Sequence, residues 1–179
     1  YGTAFRAPNV FESYYLIPGH WKERPQLTSE QIHTLEFVAE HYYGSRLRLE
    51  GTVFSSHVHD MIDFTTDATD GLVWFTNQGN AGTRGIELEV EAKWPGGAQG
   101  RISYTHSRAR LDDATPLTNS PRHILQFLSA IPVAAGTFLA FDGAWLSSRI
   151  SRSGARVPGY LRPNVTWSGP LFERRLRFA

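Results

Sequence analysis

Between residues 85 and 94 apolar and polar side chains alternate without a break. Ile86, Leu88, Val90, Ala92 and Trp94 share one parity; Glu87, Glu89, Glu91 and Lys93 share the other. A period of two is the strand period, because successive side chains leave a pleated backbone on opposite sides. Three glutamates on one face need water or cationic partners. The other face needs an apolar medium and ends in a Trp. A strand lying between lipid and a wet lumen satisfies both demands.

The same alternation predicts strands through most of the chain. Residues 28–43 place Leu35, Phe37 and Ala39 against Thr34, Glu36, Val38 and Glu40. The Thr28/Gln31 spacing resembles a helix capping box, but the alternation favours a strand. Residues 46–66 read as one long strand whose apolar parity switches, which predicts a β-bulge near 54–56. Further strands are expected over 72–94, 99–111, 122–131, 137–151 and 160–167, with the start of another at 175–178. Short turns at 43–45, 95–98, 133–136 and 169–174 alternate with longer, more polar connections at 10–27, 67–71, 112–119 and 153–159. Strands of about 10–20 residues exceed the 5–6 usual in soluble sheets. The fold class expected is all-β: an antiparallel, up-and-down transmembrane β-barrel, present in part, with about seven to eight strands of a larger barrel. Soluble barrels share the alternation of turns, so strand length carries the distinction.

Composition changes this picture little. Aromatic residues make up 13% of the chain, with 11 Phe, 7 Tyr and 5 Trp, as expected where rings sit at membrane interfaces. Net charge is +1, which does not suggest nucleic-acid binding. There is no Cys, hence no disulfide framework or thiol chemistry. No apolar run approaches the ~18–20 residues of a transmembrane helix. The first residues lack the basic start and apolar core of a signal peptide. Both ends fall within a pattern, so the chain reads as an excerpt of a longer protein. No G-x-S-x-G, phosphate-binding glycine loop or H-E-x-x-H occurs, and no catalytic constellation or cofactor site is expected.

Several motifs then point to a family. Tyr1-Gly2-Thr3-Ala4-Phe5-Arg6-Ala7-Pro8-Asn9 resembles the YGxxFRAPN signature of TonB-dependent outer-membrane receptors. Leu27-Thr28-Ser29-Glu30 is similar to their L-x-P-E segment, with Ser29 where Pro is usual. Asp60-Met61-Ile62, then Asn77–Ala81 followed by Gly85–Glu89, then Asn119–His123 and Val157–Tyr160, are similar to later motifs in the same order. The vitamin B12 and siderophore receptors are resembled most. The resemblance implies a 22-stranded barrel closed by an N-terminal plug, located in the Gram-negative outer membrane, with uptake driven by the TonB complex. It implies that residues 1–179 are a barrel fragment, with the plug domain and the final strands outside it. The partners implied are outer-membrane lipid, the plug, the TonB complex through a missing N-terminal part, and a small-molecule nutrient such as a ferric siderophore or cobalamin. Two other classes stay open: a passive porin-like channel and a soluble β-rich binding domain.

Within that frame, Glu36, Glu40, Glu87, Glu89 and Glu91 face the lumen, where they pair with a plug or are simply hydrated. Arg6, Tyr14, Tyr15, His20 and Trp21 sit in or beside the longest loop and suit an exposed pocket for a ferric chelate or corrinoid; loop packing is the rival reading. His57 and His59 share a strand face and could ligate a metal, but no third ligand is identifiable. Rim imidazoles are the preferred reading, and no metal site is expected. Trp94, Trp145, Trp167, Tyr43 and Tyr160 are candidates for an aromatic girdle.

Overall fold

The computed structural model describes residues 1–15, 17–21, 26–134, 136–171 and 176–178. Long antiparallel strands dominate: β2 (Glu30–Tyr43), β3 (Leu47–His59), β6 (Ala81–Lys93), β7 (Gln99–Leu111), β8 (His123–Ala134), β9 (Thr137–Leu146) and β12 (Tyr160–Leu171). Shorter pieces are β1 (Gly2–Arg6), β4 (Ile62–Thr66), β5 (Val73–Asn77), β10 (Arg149–Ile150), β11 (Arg156–Val157) and β13 (Leu176–Phe178), with one helix, α1 (Val10–Tyr14). A nine-stranded sheet runs β1-β2-β3-β6-β7-β8-β9-β12-β13, while β4-β5 and β10-β11 form separate two-stranded sheets. The order is sequential, apart from strands spent inside connections, which is an up-and-down meander. Seven of its strands are long, within the range expected from the alternation.

Connections alternate in length. Residues 44–46 and 94–98 are tight turns, and Ala134 of β8 pairs with Thr137 of β9 across an equally short connection; residues 7–29, 60–80, 112–122 and 147–159 are long and hold α1 and both small hairpins. In the turn after β6, Gly96 and Gly97 take φ of 92° and 89°, a left-handed backbone that suits glycine. Of the turn expected at 169–174, residues 169–171 instead continue β12 and pair with β13, and residues 172–174 lie outside the described residues.

Three of the expected strands divide. Residues 137–151 end as β9 at Leu146, and Arg149–Ile150 belong to the β10-β11 hairpin, whose second strand lies within the loop expected at 153–159. Residues 46–66 are not a single strand. β3 ends at His59, where Asp60 adopts a φ of 55°, and Ile62 and Phe64 belong to a different strand, β4. Residues 72–94 likewise divide into β5 and β6. The loop expected at 67–71 is only the tip of a β4-β5 hairpin that pairs Ile62 with Asn77 and Thr66 with Val73. Both halves of that hairpin alternate, so periodicity alone joins them to the long strands beside them. β8 continues past Pro132 to Ala134 with a register shift there, since Pro has no N–H for the ladder.

The chain divides into two compact units. The first comprises residues 1–36, 54–84 and 109–117. Its apolar centre is aromatic: Trp21 lies 5.1 Å from Phe75, 5.5 Å from Tyr15 and 6.2 Å from Phe64 by ring centroids, and Phe11 stacks on Tyr15 at 4.1 Å. Ile62, Phe75 and Ala81 are the buried apolar residues among those described, and all three are in this unit.

The second unit comprises residues 37–53, 85–108 and 118–179. Its registers assign the two faces. Tyr104, Leu125, Trp145 and Leu161 are opposed across β7, β8, β9 and β12, and so share a face; Ile102 with Phe127, and Phe141 with Val165, lie on it too. The other face carries Arg101, Ser103, Gln126, Asp142, Arg162 and Asn164. The apolar face is left open: Leu88 is 51% exposed, Val165 65% and Trp167 61%. Large apolar groups normally drive burial, so this unit presents a surface made for an apolar medium.

Candidate functional site

Two groups of residues carry the chemistry, one in each unit. In the first unit the segment Phe5-Arg6-Ala7-Pro8-Asn9 ends β1 and starts α1. Asn9 caps the helix: its Oδ1 accepts from the Glu12 N–H at 2.9 Å, and the Glu12 carboxylate accepts from the Asn9 N–H at 2.8 Å. Arg6 donates from Nη1 to both Glu12 oxygens at 2.9 Å. It also forks onto Glu30 through Nε at 2.6 Å and Nη2 at 2.8 Å. Glu30 further accepts the Ile62 N–H at 2.7 Å. Glu12 and Glu30 are buried, at 8% and 7% exposure. One guanidinium therefore ties the end of β1, the start of β2, α1 and the start of β4 together. Asn77 adds a second tie: its side-chain N–H groups reach the Asp60 and Thr28 carbonyls, and its Oδ1 accepts from the Thr28 N–H.

The five loop residues expected around a ligand divide accordingly. Tyr14 and His20 are exposed. Tyr15 and Trp21 pack into the aromatic centre, and Trp21 bridges Val73 of β5. Arg6 is held by its two carboxylates. The long connection is thus fastened to the β4-β5 hairpin, which sequence reading had missed. The available signal was the aromatic run Trp74-Phe75 between two turn-forming clusters.

In the second unit the polar face of β2, β3 and β6 centres on Arg48. Its guanidinium reaches Glu89 at 3.0 Å, Glu40 at 3.3 Å and Glu91 at 3.4 Å, and pairs closely with Glu50. Lys93 reaches Glu91 at 3.1 Å and Arg101 lies 3.9 Å from Glu89. Of the expected lumen carboxylates, Glu40, Glu89 and Glu91 thus have cationic partners within the sheet itself. Glu87 has a long contact to the Thr105 hydroxyl, 3.5 Å, and no ion pair among the described residues. Glu36, in the first unit, borders a shallow groove with Tyr1, Ala4, Ile32 and Thr34, and also has no ion pair among the described residues. Arg48 was not singled out beforehand, although Arg46, Arg48 and Glu50 share a parity that puts them opposite Leu47 and Leu49. Farther along the same face a recess lies between Arg101, Gln126, Asp142, Arg162 and Asn164, where Asn164 donates to Asp142 at 2.9 Å.

His57 and His59 do not assemble a metal site with acidic or cysteine residues; no group of three such ligands occurs among the described residues. His59 instead lies against His33, with ring centroids 5.5 Å apart, and His33 meets the Tyr1 hydroxyl at 2.9 Å. In the connection after β7, the Thr115 N–H donates to Asp113 and holds its carboxyl below the ordinary aspartate range.

Long meandering strands with one apolar and one charged face define the wall of an outer-membrane type barrel. No described helix is long and apolar enough to cross a membrane. Residues 1–170 match the family model for the TonB dependent receptor-like β-barrel, and the chain belongs to that family. Its members are receptors of the Gram-negative outer membrane. No curated protein sequence matches the chain. Among solved structures it is similar to the copper transporter OprC (17% identity, TM-score 0.71, covering 95% of this chain and 28% of that one). It is also similar to the ferric-catecholate import receptor Fiu of E. coli K12 (16%, 0.67, 95% and 26%). A third is the ferric yersiniabactin uptake receptor FyuA of Yersinia pestis (17%, 0.66, 83% and 24%). At these identities the likeness is one of fold, and the chain spans about a quarter of the length of each.

Proposed function

We propose that this chain is part of the wall and outer rim of an active importer, driven by the TonB complex, for a scarce nutrient carried as a ferric siderophore, cobalamin or similar chelate. The observation that carries this reading is the split of the sheet into an open apolar face and a charged face, in a chain of this family. The apolar face meets outer-membrane lipid. Trp94, Trp145, Trp167, Tyr43 and Tyr160 supply rings for its interfaces. The charged face looks onto a plug domain contributed by a part of the protein beyond these residues. Because Glu40, Glu89 and Glu91 already share Arg48, we assign plug pairing first to Glu36 and Glu87.

Exposed Tyr14 and His20 are the loop groups offered to a ligand, with Tyr15, Trp21 and Arg6 holding that loop in shape. Two of the similar structures are named for ferric chelates, which favours an iron chelate over cobalamin. The role is transport rather than catalysis, as in the rest of the family.

Uptake of radiolabelled ferric catecholate or hydroxamate chelates, measured in cells with and without the gene, tests the reading. Uptake is expected to need both the gene and an intact TonB complex, and to fall in a Glu87→Gln variant. A passive channel would leave uptake independent of TonB, and that result would reject the importer.

A further inference from the structure

A second cluster of titratable groups sits on the apolar face of the second unit, away from both sites above. His106 near the end of β7 is directly opposed to His123 at the start of β8. Their rings lie 4.7 Å apart, and their Nδ1 atoms face each other at 3.4 Å. Tyr104, two residues along on the same face, brings its hydroxyl to 2.7 Å from the His123 Nδ1. Each ring is partly screened from solvent. Backbone contacts fix the strand ends beneath them: Ser107 donates to the Arg122 carbonyl at 3.0 Å, and the His123 N–H donates to the Ser147 hydroxyl at 3.0 Å.

A separation of 3.4 Å is long for a hydrogen bond from a ring N–H; such bonds to oxygen usually span about 2.7–3.2 Å. It matches the spacing of two imidazole nitrogens on one tetrahedral ion, about 3.4 Å for bonds of about 2.0–2.1 Å. We propose that His106 and His123 form a two-imidazole site for a borderline divalent transition-metal cation such as Zn2+, bound through both Nδ1 atoms. The Tyr104 hydroxyl is placed to complete the donor set with oxygen, and water fills what remains. Imidazole is the ligand type such ions prefer. A bound ion would cross-link β7 to β8 at the base of the 112–122 connection and brace it.

Calorimetric titration of Zn2+ alone into the purified receptor containing this chain, in detergent, tests the site. One ion is expected per chain, together with a rise in the thermal unfolding midpoint. His106→Phe keeps a ring for packing and removes both nitrogens; His123→Ala removes the other donor. Each is expected to weaken binding at least about ten-fold, the scale seen even for loss of outer-shell support, and to abolish the thermal shift. His57→Ala should bind as the native protein does. No Zn2+ binding by the native receptor, or binding unaltered in both variants, would overturn the proposal.

Discussion

Arg6 stands between two carboxylates that water barely reaches, and it satisfies both. Removing it leaves Glu12 with the Asn9 N–H and Glu30 with the Ile62 N–H, each a buried charge short of its counter-ion. Arg6→Ala is therefore expected to destabilise the receptor by on the order of 2 kcal/mol, read as a lower midpoint of heat-induced unfolding in detergent. Arg6→Lys should recover little, because an ammonium cannot fork onto one carboxylate while holding another. If Arg6 were a ligand group held only loosely, the midpoint would not move and ligand affinity alone would fall. The motif around Arg6 was legible in the sequence as a family mark, but its job was not. Glu12 and Glu30 lie 6 and 24 residues away from it, and only the fold brings all three together. Arg48 has the same lesson in milder form. Its parity was readable; its four carboxylate partners come from three strands.

At the scale of the element, periodicity carried most of the fold. It separated strand from helix over 28–43 and set the faces of β6. It failed at 60–80, where two short alternating strands adjoin two long ones and the left-handed Asp60 and Gly79 mark the breaks. Close contact between strands is another feature the pattern does not announce. Gly143 of β9 lies under the Phe127 ring of β8, and a Cβ there would fall 2.8 Å from that ring and 2.8 Å from the Arg162 carbonyl oxygen. The ring could turn aside; the backbone oxygen belongs to the ladder with β12. Gly143→Ala is expected to cost about 1–3 kcal/mol, the usual scale of overpacking. A urea-unfolding series in detergent would show this as a lower midpoint with an unchanged slope. An unchanged midpoint would mean that β9 and β12 approach less closely than described.

For the whole molecule, the decisive property is that burial does not follow apolarity. The described chain keeps Leu88, Val165 and Trp167 open while it covers Glu12 and Glu30. A soluble domain would reverse that order. Strand length, the alternation of short and long connections and the charged second face all agree with the family that the chain belongs to. The identity of the cargo was not legible, because exposed loop groups such as Tyr14 and His20 carry no periodic signature that would name a ligand. The central claim, that the two faces of β6 meet different media, can be tested on β6 itself. The chain has no Cys, so single Cys substitutions at positions 86–91 each add one nitroxide label to it. In the full receptor reconstituted in lipid bilayers, collision with oxygen should dominate at Ile86, Leu88 and Val90. Collision with a water-soluble nickel chelate should dominate at Glu87, Glu89 and Glu91. A strict alternation of that sense is the expected result. Equal water access at all six positions, or the opposite phase, would contradict the account.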